Sequence, residues 1–344
     1  MRDTMLWIRP DSIGDAVLSA SMLHPIALKF KNFKIHVICQ NFLKDFYEQC
    51  PHVDKIISFE KEKLINDDTY RKHIIDKLLK NNYALSINSV RSPDAITFFL
   101  QDYNGAKKKI DFWSLFIGNC YVKNFGSPRL ELESHQDFLE ALGCRGDSLR
   151  PTIWIPNESV SFANELFKKY NLEPSRTVVL AAGVQFSPRL YRGYCHALQS
   201  LAEEEDISVI VVGTERDRPI INDNLKNFKG KVINIVGKSS ILETAAIIKK
   251  SRLLVGGDSS AAHIACAVET PNAIVLGGGH YRRFFPYSKW TYCAVLYLDC
   301  FGCDWACKYN KPYCIQNVSP RTLESAIKNA WKLKGDQITF QESL

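Results

Sequence analysis

What most constrains the fold of this chain is a rhythm: a short unbroken apolar run, a turn, a stretch with helical spacing, and then the same again. Runs at residues 5–9, 35–39, 55–59 and 84–88 are separated by segments of helical character, the first carrying Val17, Leu18, Met22 and Leu23. Strands buried on both faces of a parallel sheet read as continuous apolar runs, whereas half-exposed antiparallel strands alternate. The rhythm pauses at 151–156, an extended segment bracketed by Pro151 and Pro156. It resumes with runs at 178–182, 208–212, 232–236, 253–255 and 273–276, and a last helix is predicted over 320–333. Two such series predict an α/β chain with two doubly wound sheets and a cleft between them. The 344 residues suit two domains of about 150 each. The boundary is placed at the second proline, giving domains 1–156 and 157–344.

Composition narrows the function classes. Hydrophobic content of 46% with 24% charged residues is that of a globular protein. No apolar run approaches the roughly 20 residues that span a bilayer, and the first ten residues lack a signal-peptide core, so a cytoplasmic protein is expected. The net charge of +7 suits an anionic substrate or an acidic membrane surface. The lysines are scattered, with only short runs such as Lys107–Lys109, which read as solvated surface, and no nucleic-acid partner is expected.

Four segments carry chemistry. Arg9-Pro-Asp-Ser-Ile-Gly14-Asp15 follows the first strand; Gly14 is expected to relieve the turn and Asp15 to open the helix. Asp15 is then either a helix cap or a general base at the carboxyl edge of the sheet, where open α/β folds bind ligands. In Val255-Gly-Gly-Asp258-Ser259-Ser260-Ala-Ala-His263 a strand ends in two glycines and small polar residues open a helix. The amide groups of such a helix start attract a phosphate or pyrophosphate. Arg189 and Glu215 follow second-domain strands and could meet a phosphate and ribose hydroxyls, or be ordinary surface charges.

Rival readings weaken on inspection. Gly257-Asp-Ser259-Ser-Ala261 resembles a nucleophile elbow, but the only later histidine is His280, with no suitable acid before it except Glu269. Neither G-x-G-x-x-G after the first strand nor a P-loop is present, and no D-x-D occurs to hold a metal-bound pyrophosphate.

Taken in order, R-x-x-S-x-G-D at Arg9 to Asp15, the His135 to Gly143 run, the proline-bracketed linker and G-D-S-x-x-x-H resemble glycosyltransferase family 9, the ADP-heptose:lipopolysaccharide heptosyltransferases. The likeness runs from Ile8 to about Lys332. It implies a GT-B fold, two doubly wound Rossmann-like domains facing across a cleft, and inverting transfer that requires no metal for catalysis. The family's catalytic aspartate falls on Asp15. Its D-T-G-x-x-H donor segment falls on Asp258, Ser259, Ser260 and His263, with serine for both the threonine and the glycine. Its phosphate-binding lysine falls on Arg189, its ribose-contacting acid on Glu215, and Arg91 is assigned to the acceptor. The resemblance implies a nucleotide-diphosphate sugar as donor, most simply ADP-heptose, and a lipid-linked glycan or other hydroxyl as acceptor, with peripheral contact at the inner membrane. Alternatives are a different nucleotide sugar, a protein hydroxyl, or a non-catalytic sugar-nucleotide binder.

The tail departs from the pattern with Cys300-x2-Cys303-x3-Cys307-x6-Cys314, a kind of segment found in some members of this family. In a reducing compartment, clustered cysteines point to a structural zinc or iron, with free thiols and disulfides as the alternatives.

Overall fold

A computed structural model describes residues 3–112, 114, 129–144, 148–185 and 187–333, and the backbone of Thr339–Glu342. The chain divides into two compact units, the break falling between Trp154 and Ile155.

The first unit holds a five-stranded, all-parallel sheet in the order β3-β2-β1-β4-β5. Its strands are β1 (Asp3–Ile8), β2 (Phe33–Gln40), β3 (Lys55–Phe59), β4 (Leu85–Asn88) and β5 (Lys108–Asp111). Leu6, Ile8, Ile38, Ile57, Phe59 and Tyr83 form its core. A fully buried aliphatic side chain of this kind contributes about 1.5–3 kcal/mol, which is why the apolar runs had to become inner strands. Lys107–Lys109 are exposed, as expected of solvated surface. Lys108 and Lys109 also belong to a strand at the edge of the sheet, where lysine blunts unwanted pairing.

The second unit carries a seven-stranded parallel sheet ordered β12-β11-β10-β9-β6-β7-β8. The strands are β6 (Thr177–Ala181), β7 (Ser208–Val211), β8 (Lys231–Asn234), β9 (Leu253–Gly257), β10 (Asn272–Val275), β11 (Thr291–Val295) and β12 (Thr339–Glu342). The expected run at 253–255 extends through both glycines of β9, and the last helix is Pro320–Trp331. The rhythm read from the sequence missed β11 because a loop, not a helix, joins it to β10. Aromatic residues of that loop pack around a histidine described below.

In both sheets the strand order reverses once, between β1 and β4 and between β6 and β9. Crevices at the carboxyl ends of such reversals are where open α/β sheets bind ligands.

Candidate active site

The end of β1 is one of these reversal points, and its charges are buried or half-buried. Arg9 continues the strand pairing, its N–H donating to the Ile38 carbonyl at 3.1 Å. Its side chain is fully buried (0% exposed), so its charge must be met inside the protein. One guanidinium nitrogen donates to the Ser89 carbonyl at 2.6 Å. Nε lies 2.9 Å from Asp11 Oδ1, and Nη2 lies 3.7 Å from Asp15 Oδ1. Burial opposes the Arg9 charge, but Asp11, Asp15 and Glu131 outweigh it and raise its pKa. Burial pushes the Asp11 carboxyl up to about 7, against the pull of Arg9.

Asp15 does not open or cap the helix. The cap is Ser12, and the helix Ile13–Ser19 begins two residues before Asp15. Ser12 Oγ accepts the Asp15 N–H at 3.4 Å and donates to Asp15 Oδ2 at 2.6 Å. Gly14 is likewise inside the first helical turn and buried, not in the preceding turn. One carboxylate oxygen therefore faces a hydroxyl and the other a guanidinium.

Arg91 follows β4, the strand paired with β1. Its guanidinium lies 3.6 Å from Oε2 of Glu131, whose side chain is only 2% exposed; Oε1 of the same carboxylate is 3.6 Å from His135 Nε2. Glu131 ties Arg91 to Arg9 electrostatically, so the Arg91 and Asp15 regions share one charge network.

The second reversal lies between β6 and β9. A Cβ on Gly256 would stand 2.8 Å from the Ala181 carbonyl of β6, so glycine is needed for the two strands to approach. After β9, Ser259 caps the helix Ser260–Ala267 by position, yet its side chain makes no capping bond. The first amides of a helix have no intrahelical acceptor and are ready to meet an anion. Asp258 and His263, both buried, approach to 3.9 Å. His263 Nδ1 lies 2.8 Å from the Tyr287 hydroxyl, and its ring packs nearly parallel to those of Phe285 and Tyr287 of the β10–β11 loop, at 4.8 and 5.7 Å between centroids.

Arg189 lies on the turn Ser187–Arg189 beyond β6 and meets the residues after β9. One nitrogen donates to the Asp258 carbonyl at 3.3 Å, another lies 2.8 Å from His280 Nδ1, and the guanidinium sits 5.1 Å over the Trp305 ring. His280 Nε2 is 3.1 Å from Asp304. Both His280 nitrogens are thus engaged, leaving none to take a proton from Ser259 in an esterase mechanism.

Glu215 follows β7 but is gripped by Arg218, whose Nε and Nη2 donate to its two oxygens at 2.7 and 2.6 Å. Beside it, the buried Asp217 accepts from both the amide and hydroxyl of Thr214 at 2.8 Å. A Cβ on Gly183 would stand 2.3 Å from the Asp217 carboxyl carbon, so Gly183 is there to admit it. Sequence reasoning passed over Asp217, Ser12, His280 and Trp305. Ser12 and Asp217 carried a signal, the S/T-x-x-D spacing of a capping box at Ser12–Asp15 and Thr214–Asp217.

Among the described residues, no three His, Cys, Asp or Glu side chains gather as a metal-binding set. Cys314 is buried and its Sγ receives the Gly278 N–H at 3.4 Å; Cys300 and Cys303 are half-buried and Cys307 is exposed. Burial raises the Cys314 pKa, and the three other thiols add to that. No helix among the described residues is long and apolar enough to cross a membrane.

The model of glycosyltransferase family 9 (heptosyltransferase) matches residues 108–312 of this chain. Lipooligosaccharide heptosyltransferase 2 of Haemophilus influenzae is 22% identical over 298 residues, covering 79% of this chain and 83% of the relative. The solved structure of E. coli ADP-heptose lps heptosyltransferase II superposes with a TM-score of 0.73 at 15% identity, covering 96% of this chain and 98% of that one. The iron-containing dodecameric glycosyltransferase TibC of enterotoxigenic E. coli gives a TM-score of 0.57 at 12% identity, covering 96% of this chain and 76% of that one.

Proposed function

This chain belongs to glycosyltransferase family 9 (heptosyltransferase), and on that premise we propose that it transfers heptose from ADP-heptose to a hydroxyl of a lipid-linked glycan during lipopolysaccharide core assembly. The observation that carries the proposal is Asp15, its two carboxylate oxygens held by Ser12 and Arg9 at the end of β1. Asp15 takes the proton of the acceptor hydroxyl as that oxygen attacks the anomeric carbon. The new bond forms from the face opposite the phosphate, the carbon–oxygen bond to the β-phosphate breaks, and the diphosphate departs with the electron pair. Arg189 and the helix start at Ser259 and Ser260 receive its growing charge, and interactions that strengthen with that charge accelerate the step. In this scheme the domain spanning 1–156 takes the acceptor, with Arg91 linked to Asp15 through Glu131 and Arg9, and the domain spanning 157–344 takes the donor. Asp258 and His263 support the diphosphate end. Glu215 turns to the ribose, exchanging part of its grip on Arg218.

A lipid-linked acceptor puts the enzyme on the cytoplasmic face of the inner membrane, and the net charge of +7 favours such a surface. No cofactor takes part in the chemistry. Cys300, Cys303, Cys307 and Cys314 would supply thiolate donors for a structural zinc or iron, since thiolates suit both metals, and the four would have to draw together to do so. TibC, a protein of similar fold, is iron-containing. A metal held by all four thiols would stabilise the segment and leave no coordination position for substrate. About one metal per chain is expected by elemental analysis of protein purified without chelator; no metal, with all four thiols titrating freely, would end that part of the proposal.

The donor is tested by calorimetry with a panel of nucleotide sugars. ADP-heptose should bind most tightly, and ADP should be released only when a heptose-deficient core acceptor is added. Equal binding of ADP-heptose and UDP-glucose would remove ADP-heptose as the donor.

A further inference from the structure

The Cys-rich segment carries two other residues whose side chains reach the donor side of the second unit. Asp304 and Trp305 both adopt left-handed backbone conformations, with φ of 47° and 63°. Aspartate visits that region more readily than most residues but a bulky tryptophan does not, so the surrounding contacts must hold Trp305 there. Those contacts are with the glycines just beyond β10. The Asp304 N–H donates to the Gly279 carbonyl at 3.0 Å, and the Gly302 N–H to the Gly278 carbonyl at 2.7 Å. A Cβ on Gly279 would stand 2.2 Å from the Trp305 ring, and one on Gly278 2.6 Å from the Phe301 ring. The glycines are thus the bed on which this turn lies.

From that bed the turn meets Arg189 by two routes. The Trp305 ring lies under the guanidinium at 5.1 Å. Asp304 lies 3.1 Å from His280 Nε2, and His280 Nδ1 lies 2.8 Å from an Arg189 nitrogen. A carboxylate on Nε2 selects the tautomer protonated there, leaving Nδ1 as an acceptor for the Arg189 N–H. The remaining partner is the Asp258 carbonyl. None of the three partners carries a negative charge, so together they fix the guanidinium without neutralising it.

We infer that Trp305, His280 and Asp304 are positioning residues that hold Arg189 toward the diphosphate of the donor, so that the Cys-rich segment sets donor affinity. This rests on the reading that Arg189 binds that diphosphate. The role needs the flat ring and the acceptor nitrogen, not merely a folded segment.

The test is calorimetry on the full chain with two probes, ADP and adenosine, for wild type, R189A, W305L, H280A and H280Q. W305L and H280A should each weaken ADP binding by about 3- to 30-fold and leave adenosine binding unchanged. H280Q, which restores an acceptor atom, should recover most of the loss. ADP binding by W305L and H280A equal to wild type, while R189A loses affinity, would overturn the inference and leave the donor site standing. R189A binding ADP like wild type would instead overturn the donor reading and this inference with it. Should W305L fail to fold, the H280A and H280Q pair decides alone: equal ADP binding by the two, whether both normal or both weakened, overturns the inference.

Discussion

The two sheet-reversal sites are each built around an arginine, and they treat it in opposite ways. Arg9 is fully buried against two aspartates and a carbonyl. Arg189 is half-buried and, among the described residues, pairs with no carboxylate; an indole ring, a histidine nitrogen and a carbonyl hold it. A cation spent on neighbouring carboxylates is a scaffold, and here it fixes the catalytic candidate Asp15. A cation fixed by uncharged groups keeps its charge for an incoming anion. On the proposed reading, paired charge goes with proton transfer and unpaired charge with phosphate binding.

Each arm of the contrast can be broken separately. The largest effect is expected at Arg9. Arg9→Met takes the cation from the half-buried Asp11 and Asp15 and from the buried Glu131 and should cost about 3–5 kcal/mol of stability, because removing one member of a buried charge network strands the rest. Urea unfolding measures it; a loss under about 1 kcal/mol would show that Arg9 is not the scaffold described.

Arg189→Ala should do the reverse, leaving stability nearly unchanged while weakening ADP by about 1.5–3 kcal/mol and adenosine hardly at all. Calorimetry showing equal loss for both ligands would remove Arg189 from the phosphate site.

The smallest effect concerns the first unit's response to acid. His36 is buried beside Tyr83, and burial followed by Lys55 lowers its pKa to about 4. The unfolded chain therefore takes up the proton first as pH falls below about 6.5. Stability is complete above that value and declines as pH drops toward 4, by up to about 2 kcal/mol between pH 7.5 and 5. Unfolding of wild type and His36→Gln at both pH values checks this, and an identical decline in the variant would assign the acid sensitivity to other groups.

Much of the scaffold was legible because the inner strands are buried on both faces and had to be apolar throughout. The expected strands recur within a few residues of the runs, as at β3 (Lys55–Phe59). Edge strand β5 escaped because an edge tolerates lysines, and β11 because no helix precedes it. In the candidate site, motif spacing brought forward Asp15, Asp258, Ser259, Ser260 and His263, since each lies within a few residues of a strand end. Trp305 and His280 stayed hidden because they reach Arg189 from more than ninety positions away in sequence. The fold, not local spacing, brings them together. Asp15 lies in the first turn rather than at the helix start because Ser12 takes the cap position, two residues before Gly14.

The central claim is that Asp15 removes the acceptor proton, and Asp15→Asn tests it most directly. Asparagine keeps the size, the place in the first helical turn and an oxygen to accept from Ser12, and loses only the proton-accepting charge. Turnover on a verified donor and acceptor should fall by about 10²–10⁴-fold, with ADP affinity and unfolding midpoint held at wild-type values. A kcat within about threefold of wild type would contradict the account and leave Asp15 a structural residue of the first helical turn.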